Sequence, residues 1–234
     1  MSRSALGGIE LSVSEDRTVQ PSPTTPAFVS GIADPGPLGL AAFALTTFLL
    51  SAKNAGWMTH ATGSAWLGFA FAYGGFAQLC AAMWEFRNRN VVGATGFGTF
   101  GAFWIGLGLW VLLVVNPAVA AIKPATAVAT VTALNHDLGW ILLGFAIFTT
   151  YAMILILQTN TALFTTFFIL WVTLIVLCIG NFNAGAALLP TTTIKIGGYL
   201  GVITAAAAWY TSAAGMAAGM GGKLRFPVGP ALIK

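Results

Sequence analysis

From residue 34 onward the chain is a series of long apolar runs broken by short polar stretches. Six runs cover about 37–52, 63–85, 91–115, 137–158, 161–180 and 194–216. A helix needs about 20 apolar residues to cross a bilayer, so the first run is short. The pattern predicts an all-α, polytopic membrane protein with six transmembrane helices. The first helix is entered through Asp34-Pro35-Gly36-Pro37, with Asp34 as candidate N-cap and a proline in the first turn. Its N-terminus is expected inside a polar pathway, because free N–H groups in a bilayer need partners.

Residues 1–33 break the pattern. They carry Arg3, Glu10, Glu15, Asp16 and Arg17, then Pro21-Ser22-Pro23-Thr24-Thr25-Pro26, with no continuous apolar core of the kind a signal peptide needs. Little apolar surface offsets the entropy of ordering them. The expected organisation is a disordered cytoplasmic tail over 1–33, a six-helix membrane domain over 34–220 and a cytoplasmic C-terminal tail over 221–234.

Composition narrows the class further. The 234 residues are 57% hydrophobic and 7% charged, against about 25% charged in a soluble domain. Soluble globular proteins, nucleic-acid binders and disulfide scaffolds are set aside on that ground. Cys80 and Cys178 each lie in an apolar run, too few and too separated for a metal site. The net charge of +4 does not signal nucleic acid, since the basic residues sit between or beyond the runs. With both termini inside, Arg3, Arg17, Arg87, Arg89, Lys223, Arg225 and Lys234 face the cytoplasm, and only Lys53, Lys123 and Lys195 the other side. That bias predicts an N-in, C-in topology.

Catalytic chemistry has little to build on. The two histidines, His60 and His136, fall in expected loops without partners at metal-ligand spacing, so no enzyme, no metal and no cofactor is expected. Polar groups within the runs are mostly neutral: Thr46, Thr47, Gln78, Thr95, Thr99, Thr149, Thr150, Thr165, Thr166, Asn181 and Thr204. Threonines commonly bond back to their own helix carbonyls, whereas Gln78 and Asn181 need several partners in hydrocarbon. Glu85 closes the second run beside Arg87 and Arg89, as an interfacial ion pair or a proton relay. Lys53 and Lys195 sit only at run ends. A crossing anion would therefore rely on hydroxyls, amides and helix N-termini, or cross as its neutral acid. Either route suits a small, weakly charged solute.

Small residues recur every four positions as Ala94, Gly98, Ala102 and Gly106, and again as Gly197, Gly201 and Ala205. Such stripes let helix backbones approach closely in lipid, and two of them favour a tight bundle and an oligomer.

The segment Asp34-Pro35-Gly36-Pro37-Leu38-Gly39-Leu40-Ala41-Ala42-Phe43 resembles the Asn-Pro-x-Pro-Leu-Gly-Leu motif of the acetate uptake transporter family. The likeness continues at Thr46-Thr47, Asn54-Ala55-Gly56, Tyr73-Gly74-Gly75-Phe76-Ala77-Gln78 with Glu85, Gly101-Ala102-Phe103-Trp104 and Ile179-Gly180-Asn181, leaving out the first 33 residues and 116–136. The resemblance implies a homohexamer in the cell (inner or plasma) membrane, with a path for acetate and related short carboxylates through each protomer and an apolar constriction. By motif position the constriction is Phe43, Phe100 and Leu170, with Phe100 where the family has Tyr. Asp34 stands where the family usually has Asn. Candidates for substrate binding or gating are Asp34, Thr46, Thr47, Gln78 and Asn181, and Glu85 is the candidate proton relay. The expected function is a channel or carrier for acetate and similar monocarboxylates, with succinate and proton coupling as further candidates. The alternatives are a permease for another small solute such as ammonia, and a non-transporting membrane scaffold.

Overall fold

The computed structural model describes residues 31–58 and 64–233. The tail expectation for residues 1–30 and the loop placement of His60 lie outside the described residues. Six helices are long and apolar enough to cross a membrane: α1 Gly36–Asn54, α2 Ala65–Arg87, α3 Val91–Ala120, α4 Ala127–Ile156, α5 Thr161–Phe182 and α6 Thr192–Gly219. No strand occurs among the described residues.

Local chemistry explains the helix starts. The Asp34 carboxylate accepts from the Gly36 N–H at 2.8 Å, although the N-cap itself is Pro35. The cap expectation thus shifts by one residue while the carboxylate still serves an orphan amide. Asn90 accepts from Gly93 N–H at 3.1 Å to start α3, and Asn160 accepts from Leu163 N–H at 2.9 Å to start α5. Beyond α1, Gly56 takes φ +83° to turn the chain.

Two expectations need correction. The first helix has 19 residues, not about 16. The stretch 116–136, expected as a loop, is mostly helical: α3 runs on to Ala120 and α4 already begins at Ala127. The run was expected to start only at Asp137, but Asn135 and His136 already lie within a helix whose first turns are rich in Ala, Val and Thr. There the Asn135 amide donates to the carbonyls of Gly185 and Ala187, and His136 packs edge-on against Phe182 at 5.0 Å. His136 is therefore a helical residue.

Within α2, residues Ala70–Ala77 are wound as a π-helix. The wider turns loosen the carbonyl ladder, and the Thr46 hydroxyl, which bonds Ala42 O at 3.0 Å, also lies 3.4 Å from Phe69 O. Gly74 and Gly75 fall in this stretch, against Thr46 of α1 and Ile105 of α3 respectively.

α1 packs chiefly on α6, α6 on α5, α5 on α4, and α2 on α3. The Gly197–Gly201–Ala205 stripe lies buried in this packing. A side chain at Gly197 would meet Leu177, and one at Gly201 would meet Ser51. The α3 stripe behaves differently. Ala94 is buried, but Ala102 and Gly106 are exposed and nothing stands within 4 Å of a Cβ placed on Gly106. Helix α3 instead turns Gly93, Gly101 and Gly108 toward its neighbours.

Apolar side chains such as Phe76, Met83, Phe86, Ile147, Ile154, Ile179 and Ile203 are exposed on the outer surface. A lipid-facing protein presents such a surface. Trp57 and Tyr199 pair at 5.8 Å toward one end of the bundle, as interfacial aromatics do. Past α6 the chain is extended and crosses the α4–α5 connection. Val228 O accepts from Ala162 N–H at 2.8 Å, Leu157 O from Leu232 N–H at 2.9 Å, and Pro230 O from the Thr161 hydroxyl at 2.8 Å.

Candidate functional site

Two cavities enter the bundle from opposite ends. The first encloses about 410 Å³ and is lined by Asp34, Gln78, Glu85, Asn90, Asn160 and Val228 among others. The second encloses about 300 Å³, with Thr47, Lys53, Trp66, Trp104 and Asn181 in its wall. Three residues belong to both linings: Phe43, Phe100 and Leu170. They come from α1, α3 and α5 and are 5%, 3% and 5% exposed. The Phe43 and Phe100 rings meet edge to face at 5.5 Å. The two vestibules are thus separated by an apolar septum.

Phe100 is the hub of that septum. Besides Phe43 it contacts Phe103 at 6.4 Å, Phe145 and Phe167 at 6.3 Å and Phe148 at 5.7 Å. Edge-to-face aromatic pairs each add about 0.5–1.5 kcal/mol beyond area burial, so the wall is held from several sides. Phe103, Phe145, Phe148 and Phe167 escaped the sequence reading because an aromatic in an apolar run looks the same whether it faces lipid or a neck.

The first vestibule is built around helix N-termini. Asp34 and Gly36 open α1, Asn90 caps α3, Asn160 caps α5, and all four line it. Their free N–H groups favour negative charge nearby. Glu85 is buried at this mouth, hydrogen-bonded to the Asn90 side chain. Arg87 and Arg89 stay exposed, so Glu85 turns inward to an amide rather than outward to its arginine neighbours. Gln78 is 1% exposed, and its Oε1 has no hydrogen-bond partner within the protein.

The remaining candidates divide. Thr46 is buried outside both linings and spends its hydroxyl on helix carbonyls. Thr149, Thr150, Thr166 and Thr204 likewise bond back one turn. Thr47 lines the second vestibule with its hydroxyl unpartnered. Asn181 lines the same cavity and donates to Leu177 O at 2.8 Å. Lys53 does sit at a helix end, as expected, and there it also lines the second vestibule, its ammonium 5.8 Å from the Trp66 ring centroid. A lysine in the last turn of a helix also answers the helix dipole, which is why its position alone did not single it out. The one available signal was its place beside Phe43, Thr47, Leu50 and Asn54, which share one helix face and line that cavity.

Comparison with known proteins agrees with this architecture. The GPR1/FUN34/yaaH family matches residues 16–230. The chain is 38% identical over 193 residues to acetate permease A of Emericella nidulans, covering 79% of this chain and 62% of that protein. It is 37% identical over 192 residues to ammonia transport outward protein 2 of Saccharomyces cerevisiae, covering 82% of this chain and 64% of that protein. The chain thus spans somewhat less than two thirds of the length of these fungal relatives. Among solved structures, the bacterial acetate channel SatP superposes with a TM-score of 0.70 at 30% identity, covering 85% of this chain and 99% of that one.

Proposed function

The chain belongs to the GPR1/FUN34/yaaH family, and from that premise we propose that it is a multi-pass membrane channel or carrier for acetate and similar short monocarboxylates. One observation carries the proposal: among the described residues, the two vestibules have only Phe43, Phe100 and Leu170 in common. A solute crossing there sheds water against three apolar side chains, so the barrier grows with its polar surface and its width. Acetate is small and half methyl, and it meets that neck at less cost than a hydroxylated or dicarboxylic acid. The names carried by the acetate permease and the SatP channel point to the same solute.

The finer features extend this reading. Glu85 and Asp34, both in the first vestibule, are the groups through which a proton would accompany the acid. The first vestibule is assigned to the cytoplasm, since Arg87, Arg89, Lys223 and Arg225 cluster toward the end where α2 and α6 finish. Assembly as a homohexamer is supported by the family resemblance and by the α3 stripe left uncovered at Ala102 and Gly106.

The test is acetate uptake into liposomes holding purified protein, with lactate, succinate and ammonium as competitors. Saturable acetate uptake relieved by unlabelled acetate is expected. The name of the yeast relative favours ammonia as a second reading. Competition by ammonium but not acetate would transfer the function to it, and no flux of either would leave a scaffold.

A further inference from the structure

After α6 the chain returns over the α4–α5 connection as an extended segment held bond by bond. Tyr210 of α6 donates its hydroxyl to Pro227 O at 2.7 Å, and its ring meets Phe226 edge-on at 5.9 Å. Ala162 N–H donates to Val228 O and the Thr161 hydroxyl to Pro230 O, each at 2.8 Å. The N–H groups of Leu232 and Ile233 donate to Leu157 O at 2.9 and 3.2 Å. Pro227 and Pro230 each fix φ and stiffen the segment. Between them Gly229 takes φ +72°, and a Cβ placed there would stand 2.6 Å from Thr161 Oγ1. No other residue fits there unless Thr161 or the segment moves.

Val228 is half-buried while Pro227 and Gly229 on either side of it are exposed, so in this extended stretch it is the residue turned toward the bundle. Among the described residues after α6, Val228 alone lines the first vestibule, beside Thr159, Asn160 and Leu163 from the corner that the segment crosses. Ala162 N–H is one of the free amides at the start of α5, so its bond to Val228 ties the segment to a helix end that frames the mouth. We propose that residues 226–233 form a strap that holds Val228 across the mouth of the first vestibule, making Val228 a width-determining residue in series with the Phe43–Phe100–Leu170 septum. The inference rests on the carboxylate-path reading above and adds an outer constriction to it. Tying down a chain end accounts for the bonds to Leu157. It does not account for a stiff, proline-flanked valine in a mouth whose other lining includes the polar Asp34, Glu85, Asn90, Thr159 and Asn160. An apolar side chain there obstructs a wider or more hydroxylated solute more than a small methyl-bearing one.

The experiment pairs flux with access. In liposomes, Val228→Ala should raise the lactate-to-acetate uptake ratio about threefold, and Val228→Phe should lower acetate kcat about tenfold with KM little changed. Gly229→Ala dislodges the strap without altering Val228 and should raise the same ratio about threefold. Tyr210→Phe, which removes one strap bond, replaces Gly229→Ala if that variant fails to elute as wild type, and should move the ratio the same way. The second readout needs no flux. Ala214→Cys, in the vestibule wall, is labelled in detergent with a small and a bulky methanethiosulfonate, in a chain carrying Cys80→Ala and Cys178→Ala. Dislodging the strap should speed the bulky reagent about fivefold and the small one little. Folded Val228 and Gly229 variants with unchanged ratio, unchanged acetate kcat and unchanged labelling overturn the constriction and leave the strap a brace. Absent acetate flux in wild type removes the path reading instead. In that case faster bulky labelling in Gly229→Ala still supports the strap, and unchanged labelling sinks it.

Discussion

Among the described residues, the first vestibule is lined by two carboxylates, Asp34 and Glu85, and no cation, while the second is lined by one ammonium, Lys53, and no acid. Helix polarity accounts for much of this. The starts of α1, α3 and α5 surround the first mouth, where their N–H groups favour negative charge, and Lys53 occupies the last turn of α1. An up-and-down bundle lays out such a field without any dedicated design. What polarity leaves unexplained is the difference in satisfaction. Asp34 accepts from Gly36 and Glu85 bonds Asn90, whereas Thr47, Trp66 and Trp104 have no partner in the chain. The acids of the first vestibule are largely engaged by the fold, and the donors of the second are buried without a partner in the chain.

The most severe way to break the comparison is to part the helices that carry it. A Cβ on Gly198 would stand 2.8 Å from the backbone of Asn54 and Ser51, atoms that cannot yield without moving α1. Gly198→Leu should abolish folded protein on size exclusion, whereas Gly106→Leu, with nothing within 4 Å of its Cβ, should leave the protomer folded. A Gly198→Leu protein that elutes and melts as wild type would contradict the packing. Next in size, Phe43→Ala should merge the two vestibules into one. The lactate-to-acetate uptake ratio should rise about tenfold, equivalent to about 1.4 kcal/mol of lost discrimination. An unchanged ratio in folded protein would place that ring in ordinary packing.

A gentler change makes the first vestibule less unlike the second. Asp34→Asn keeps an acceptor for Gly36 N–H and removes a charge from the anion's route. KM for acetate should fall about threefold to fivefold at low salt, from roughly 1 kcal/mol of repulsion between charges about 4 Å apart in water, and less at high salt. A raised KM would mean the carboxylate assists entry. Smallest of all, Phe100→Tyr adds a hydroxyl at the septum without widening it. Acetate KM should shift by less than about threefold with the lactate-to-acetate ratio unchanged. A changed ratio would show that Phe100 sets width as well as polarity.

The six helices were legible because lipid demands long apolar runs, and four of the six runs lie wholly within the helices that contain them, while 63–85 starts two residues early and 137–158 ends two residues late. Helix α4 starts ten residues before its apolar run, since the partners of Asn135 are Gly185 and Ala187 and that of His136 is Phe182, across the bundle. Such partners are tertiary and leave no local trace. The septum residues came from the family resemblance, not from pattern, since a phenylalanine in a neck and one in a core have the same neighbours in sequence. Lys53 has the sequence position of a boundary charge, and only the fold shows that the last turn of α1 is also a vestibule wall. The π winding of Ala70–Ala77 was invisible for a related reason: it depends on what Gly74 and Gly75 pack against.

That winding bears on how this chain can change length over evolutionary time. A π turn accommodates one more residue than an α turn while both flanks of the helix keep their facing. Removing a single residue between Ala70 and Ala77 would let the segment rewind as α-helix, with Trp66 on one side and Gln78 and Glu85 on the other still pointing where they do now. The same deletion a few residues later, after Gln78, would turn Glu85 by about 100° and out of the first vestibule. Related chains should therefore differ by one residue within this stretch far more readily than on either side of it.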